Sequence, residues 1–240
     1  MIKLEKRESI YFLTMDADEN RWNTTFVREI ADVLNEVEND EGPGALITSS
    51  ANPKFFSNGL DLEWMQSPKD HPNGGDAEVF GEEFMYLMGR MITLPIPTVC
   101  AINGHAFGAG FMFALSHDVR IMREDRGFLC ANEMQLGLPI PRPELALFKH
   151  KVPANAFFET VQLSRRWTGS EALNAGIIQG VSSLDELPEV AQSKAEELAP
   201  LANNRKNFGH QKEMLYGENA AINLSHGPAH MLKNSKDFND

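Results

Sequence analysis

At 240 residues, 42% apolar and 23% charged, the chain has the make-up of a globular protein with one large core, or a core with an appendage. A formal net charge of −12 argues against nucleic acid as a main partner, because phosphate backbones are held by basic faces. A small anion in a local pocket stays open. The longest apolar runs fall well short of a membrane span, and MIKLEKRES at the start has no apolar stretch behind it. Neither a transmembrane helix nor a secretory signal is therefore expected. Cys100 and Cys130 sit in apolar surroundings without metal or redox spacing, which reads as two buried thiols.

Residues 2–15 alternate and cluster as two short strands around a polar turn. Asp16, Asp18 and Asn20 imitate the start of a calcium loop, but Arg21 stands where glycine is needed and Val27 where the closing glutamate belongs, so calcium is rejected. Thr24 or Thr25 is the expected cap of a helix carrying Phe26, Ile30, Leu34 and Val37 on one face. Gly42-Pro43-Gly44 ends it, and residues 45–48 read as a buried strand. Within 55–65 a short apolar strand ends in Ser57-Asn58-Gly59, and a helix begins near Leu60-Asp61.

The segment 67–76 is the most loop-like of the chain. An amphipathic helix with Val79, Phe80, Phe84, Leu87, Met88 and Met91 on one side comes next, its methionines read as core. Leu94-Pro95-Ile96-Pro97 breaks it before a strand at 98–102. Beyond the central turn, strands are expected at 118–122 and 177–181, with mixed strand and turn signals at 128–141. Helices are expected near 143–150, 154–164, 170–175 and 187–199, with one or two more after Asn203. No fixed-length repeat and no low-complexity tract is present. The domain reading is a mixed core over 1–190 and a helical C-terminal region over 191–240.

The chain is organised around residues 99–115, VCAINGHAFGAGFMFAL. An apolar strand, a turn through Asn103-Gly104, and Gly108-Ala109-Gly110 at the head of a helix leave main-chain N–H groups unpaired at one spot, where negative charge is stabilised. The glycine spacing fits neither a P-loop nor a dinucleotide fingerprint, and close helix packing alone would also account for the small residues. No Gly-x-Ser-x-Gly elbow, His-Glu-x-x-His or Cys/His cluster occurs, so neither a serine hydrolase nor zinc is expected. His105, His117, Asp61 and Asp118 read as structural, Asp61 as a helix cap. What remains is Glu133, an acid among mostly uncharged neighbours in Cys130–Leu136. Drawn into an apolar pocket, it would have a raised pKa suited to proton transfer; an exposed turn glutamate would look the same in sequence.

Three junctions together resemble the crotonase superfamily of enoyl-CoA hydratases and isomerases. They are F-S-N-G-L-D-L (56–62), A-I-N-G-H-A-F-G-A-G (101–110) followed by A-L-S-H-D-V-R-I, and N-E-M-Q-L-G (132–137). The segment T-G-S-E-A-L-N-A-G-I-I (168–178) is similar to the family's link to its C-terminal helices, so the likeness spans about residues 8–200. It implies an α/β fold, a crotonase-like spiral of β-β-α units with a helical C-terminal region, and a coenzyme A thioester as substrate. It also implies two main-chain oxyanion donors, carried onto Asn58 and Ala109. Asn20, Arg21 and Trp22 fall where the family contacts adenine, and Leu60 and Leu62 would line the pantetheine or acyl channel.

Family hydratases hold water between two glutamates; here the first place is Met112, one helical turn from Ala109, and only the second is an acid, Glu133. One acid suits a Δ3,Δ2-enoyl-CoA isomerase, which N-E-M-Q-L-G also resembles more than the hydratases. The expectation is that 3-enoyl-CoA is converted to the 2-enoyl ester with no metal and no cofactor beyond the coenzyme A of the substrate. Another crotonase-fold lyase or hydrolase, and a CoA-ester-binding subunit without turnover, are the alternatives. The resemblance further implies homotrimers or dimers of trimers. The tail Asp237-Phe238-Asn239-Asp240 lacks a peroxisomal Ser-Lys-Leu signal, which makes the cytoplasm the expected location.

Overall fold

The structure is a computed structural model that describes residues 1–72, 74–218 and 226–238; residue 73 of the expected loop, and 219–225 and 239–240 of the C-terminal region, lie outside these. Strands β1 (Ile2–Arg7) and β2 (Ile10–Met15) form an antiparallel hairpin. From β2 the large sheet continues in parallel through β3 (Ala45–Ser50), β5 (Thr98–Ile102), β7 (Val119–Arg123) and β9 (Gly180–Ser182). A smaller parallel sheet collects β4 (Phe55–Ser57), β6 (His105–Phe107) and β8 (Leu129–Cys130). The three middle turns, β3–β4, β5–β6 and β7–β8, thus each give one strand to each sheet and then leave through helix, which is the spiral that the resemblance implied.

Period-two alternation explains why the large sheet is covered on both faces. Ile10, Ala45, Ile47, Val99, Ala101 and Ile121 point to one side, where α8 (Leu187–Leu198) lays Leu187, Ala191 and Ala195 along them. The intervening residues Tyr11, Leu13, Leu46, Cys100, Ile102 and Met122 point into the main core with α1 (Thr24–Asn39). Helices α2 (Leu62–Gln66) and α3 (Phe80–Ile92) follow β4; α4 (Ala109–Leu115) follows β6. After β8 come α5 (Arg142–Lys151), α6 (Ala154–Val161) and α7 (Gly169–Asn174). Near the end, α9 (Arg205–Tyr216) and α10 (Pro228–Lys233) follow, and Ala229 and Leu232 of α10 enter the main core. No helix among the described residues is long and apolar enough to cross a membrane.

Local differences from the sequence expectations have simple causes. The cap of α1 is Asn23, whose side chain accepts from the Phe26 N–H; Thr24 is already helical and its hydroxyl donates to the Asp76 carbonyl. The strand expected at 177–181 begins only at Gly180, because Ile177 and Ile178 close the end of α7 with their N–H groups on the Ala172 carbonyl. Asp61 caps α2 through the Trp64 N–H as expected. Cys100 and Cys130 are buried and unbonded to each other.

Under the sheet ends lies a polar knot. Asp118 accepts from the Thr98 N–H and hydroxyl and from Lys212 at 2.7 Å. Burial opposes its charge, but Lys212 and Lys151 outweigh it and hold the carboxyl below its ordinary range. His117 donates or accepts between the Phe113 carbonyl and Thr48 Oγ1, and burial lowers it to about 3, so it is neutral and structural. Breaking a buried ion pair from one side strands a charge, which costs about 3–5 kcal/mol. Asp118→Asn is accordingly expected to lose about 3 kcal/mol in urea unfolding. Lys212→Met should lose less, because Asp118 keeps its two bonds from Thr98.

Candidate active site

Three strand-to-helix junctions of the small sheet converge on one cavity of about 430 Å³. The first leaves β4 through Asn58-Gly59-Leu60. Here the Asn58 N–H donates to the Glu19 carbonyl at 2.9 Å, its side-chain amide donates to Glu19 Oε2, and the Gly59 N–H leans on Ser57 Oγ. Asp61 donates back to the Trp22 carbonyl. The donor of this junction without a partner among the described residues is the Leu60 N–H. The second junction leaves β6 through Gly108, whose own N–H pairs with the Cys130 carbonyl; at the head of α4 the Ala109 N–H has no partner among the described residues.

The two junctions touch. Gly59 and Gly108 both take positive φ, +79° and +48°, which glycine alone adopts without strain. A Cβ on Gly59 would lie 2.9 Å from the Phe107 carbonyl oxygen and 4.0 Å from the Ala109 nitrogen, and a Cβ on Gly110 would lie 2.7 Å from Ser57. Only glycine permits this approach. The amide pair is therefore Leu60 with Ala109. Asn58, expected as a donor, lines the cavity but has its N–H occupied by Glu19.

The third junction follows β8. A short 3₁₀ turn, Glu133–Leu136, swings Glu133 back across Gly108, so that a Cβ there would sit 3.1 Å from Glu133 Oε1 and 3.3 Å from Asn132 Oδ1. Glu133 Oε2 is enclosed and has no hydrogen-bond partner among the described residues. Burial raises the pKa of this carboxyl. The side chain thus faces the cavity, on the same side as the free amides. Met112, 2% exposed, places its thioether on the same wall.

Of the remaining expected contacts, Leu60, Leu62 and Arg21 line the cavity, Arg21 already paired with Glu19. Asn20 and Trp22 point away from it. Asn20 donates to Ser50 Oγ and the Phe56 carbonyl and accepts from the Ala17 N–H. The Trp22 ring packs edge-on against Phe26, Phe84 and Phe113 at about 5 Å. Asn20 closes a turn with a positive φ of +51° and Trp22 follows as an isolated bridge to Leu60, so the three consecutive side chains do not share one face. Asn20 and Trp22 hold the junction from inside.

Two features escaped the sequence reading. Phe80 and Phe84 of α3, with Leu136, Leu138 and Pro139, make the cavity walls apolar. A second acid, Glu144 on the first turn of α5, also lines it, and burial together with the charge of Glu133 pushes its carboxyl up to about 8. An acid in a first helical turn normally reads as a surface residue favoured by the helix end, so nothing in the local pattern marks it. Elsewhere, Glu218, His226 and His230 place ligand-type atoms within 4.8 Å of one another, away from the cavity.

A spiral of paired strands with main-chain donors and a half-buried acid lining one cavity defines a class of α/β proteins built for anionic carbonyl chemistry. The Enoyl-CoA hydratase/isomerase family pattern matches residues 5–231, and the chain belongs to that family. It is 33% identical to enoyl-CoA delta isomerase 3 of Arabidopsis thaliana over 222 residues, covering 91% of this chain and 93% of that one. It is 30% identical to carnitinyl-CoA dehydratase of Shigella flexneri over 205 residues, 84% and 76% of the two chains. Among solved structures, an enoyl-CoA isomerase of Mycobacterium tuberculosis superposes with a TM-score of 0.82 at 22% identity, covering 98% of this chain and 96% of that one. The protein is thus an enzyme of the crotonase superfamily, and its Arabidopsis relatives are named enoyl-CoA delta isomerases.

The turn at Gly108 yields a direct test. Gly108→Ala combines a backbone conformation, φ +48° and ψ −119°, that costs a residue with a Cβ about 1–3 kcal/mol, with a Cβ pressed toward Glu133. Gly137→Ala carries a comparable φ of +72° but meets nothing within 4 Å. Both variants are expected to lose stability in thermal unfolding. Only Gly108→Ala should also weaken binding of an acyl-CoA, measured by calorimetry.

Proposed function

We propose that the protein shifts the double bond of a 3-enoyl-CoA to the 2-position, with Glu133 as the proton carrier. The observation that carries this reading is the enclosed, unpartnered carboxyl oxygen of Glu133 facing two free amides, with a thioether at Met112 instead of an acid. The carboxylate takes a proton from C2: the C2–H bond breaks, a Glu133 O–H forms, and the electron pair moves onto the thioester oxygen. The Leu60 and Ala109 N–H groups stabilise that enolate more than the neutral ester, which is what lowers the barrier. Return of the proton to C4 breaks the Glu133 O–H, forms C4–H and leaves the double bond between C2 and C3. The sequence needs no metal and no redox group.

The apolar walls suit an acyl chain and keep water from the enolate. Arg21 at the mouth and the Leu60 and Leu62 side chains are the proposed contacts to the coenzyme A arm. Exposed Phe158 and Leu163 beside α6, and Leu201 further on, support self-association, for which the homotrimer is our reading. Glu144 favours one second reading, hydration of a 2-enoyl-CoA, since it returns a second carboxyl to the cavity.

Purified protein given a 3-enoyl-CoA is expected to develop the ultraviolet absorbance of the conjugated thioester, and to form little 3-hydroxyacyl-CoA from the 2-enoyl ester. Efficient hydration would favour the second reading; neither reaction would reject both. Glu133→Gln is expected to lower kcat by at least about 10²-fold, the scale of a lost acid–base group, with acyl-CoA binding retained. The ionised carboxylate is the reactive form, so kcat/KM should rise with pH through the Glu133 pKa. Because burial raises that pKa, the midpoint is expected above the ordinary glutamate value of 4.5; a midpoint at or below it would remove Glu133 from this role.

A further inference from the structure

The isomerase reading leaves Glu144 without a task. It is only 8% exposed, yet it lines the same cavity as Glu133 and accepts no hydrogen bond from any described residue. Among the described residues no cation, Arg142 and His150 of its own helix included, acts on its carboxyl. Helix α4 carries no titratable side chain. On α6, Glu159 is paired with Arg165; on α10, Lys233 is held by Glu213 and Thr93, and His230 faces Glu218. Within α5, Lys149 lies over the Phe157 ring and Lys151 donates to the His117 carbonyl and the Tyr216 hydroxyl. Arg21, across the cavity, belongs to Glu19. The charge that acts on Glu144 is that of Glu133.

Two carboxyls in one apolar cavity do not both ionise without a large penalty; one releases its proton first and the other retains it. The order here follows from position. Glu133 has its own main-chain N–H to steady its charge, whereas Glu144 has burial and a neighbouring carboxylate, both of which favour the neutral acid. We propose that Glu144 is the proton-holding partner of Glu133, a neutral acid that keeps the cavity at a single negative charge before the enolate forms. A second carboxylate beside a nascent enolate would oppose it, so ionisation of Glu144 sets an upper pH bound on turnover. The kinetic part of this inference rests on the isomerase reading; the proton assignment does not.

The test has two arms. In the full-length protein without substrate, the infrared band of a protonated carboxyl is expected at pH 7, fading as the pH passes about 8, and missing from E144Q. Its absence from the wild type at pH 7, or its survival in E144Q, overturns the proposal. If E144Q does not fold, E133Q serves instead: removing the neighbouring charge should move the band's midpoint to lower pH, and an unmoved midpoint overturns the coupling. In the second arm, kcat/KM for a 3-enoyl-CoA should fall above about pH 8 in the wild type and not in E144Q. An alkaline limb that persists in E144Q overturns the kinetic role. Failure of any 3-enoyl-CoA to react would remove the isomerase reading and leave the infrared result to decide the proton assignment alone.

Discussion

The arrangement depends on how closely two glycine turns approach. Gly59 and Gly110 pack against main chain and Ser57 at distances that no Cβ tolerates, and this brings the Leu60 and Ala109 amides to one rim of the cavity. Neither N–H has a partner among the described residues, because its neighbours have taken the nearby acceptors: Asn58 holds the Glu19 carbonyl and Phe111 and Met112 share the Gly108 carbonyl. Free donors at a cavity wall are costly unless a ligand oxygen meets them. The fold accepts that cost at two points, side by side.

Support for this rim comes from residues that never touch the cavity. Asn20 ties the β3 end to β4 through Ser50 and the Phe56 carbonyl, and Ser57 donates to the Asn20 carbonyl. The Trp22 ring locks the same segment to α1, α3 and α4. Fixing the strand ends in this way fixes the amides that follow them, which is how electrostatic preorganisation is obtained without catalytic side chains at each point.

Much of the fold could be read in the chain itself because it is periodic: the two-residue alternation of β2, β3, β5 and β7 and the helical stripes of α1 and α3 report burial directly. The junction motifs located the three corners of the site, since tight turns demand glycine and a cap such as Asp61. What escaped was set by distance in space. Which of three adjacent amides stays free at Asn58-Gly59-Leu60 depends on Glu19, nearly forty positions earlier. Whether Glu144 faces water or an apolar cavity depends on the angle at which α5 leaves Pro141, and local pattern carries no record of that angle. The inward turn of the Asn20 and Trp22 side chains was hidden for a related reason, since it is set by the left-handed turn at Asn20 and by ring partners on three separate helices.

The number of charges in the cavity, more than the number of acids, separates the two reactions open to this site. A hydratase needs two carboxyl groups that flank one water, and the place one turn into α4 where the first would stand holds the Met112 thioether, which accepts hydrogen bonds only weakly. Glu144 approaches from α5 instead, and it arrives buried, uncompensated and neutral. Such an acid donates one hydrogen bond but does not draw a proton from water. With Glu133 as the single ionised group and the walls built from Phe80, Phe84, Leu136 and Leu138, the site can remove a carbon-bound proton and keep it close. On the proposed reading, moving that proton along the chain, rather than adding water across it, is the chemistry that an apolar, singly charged cavity favours.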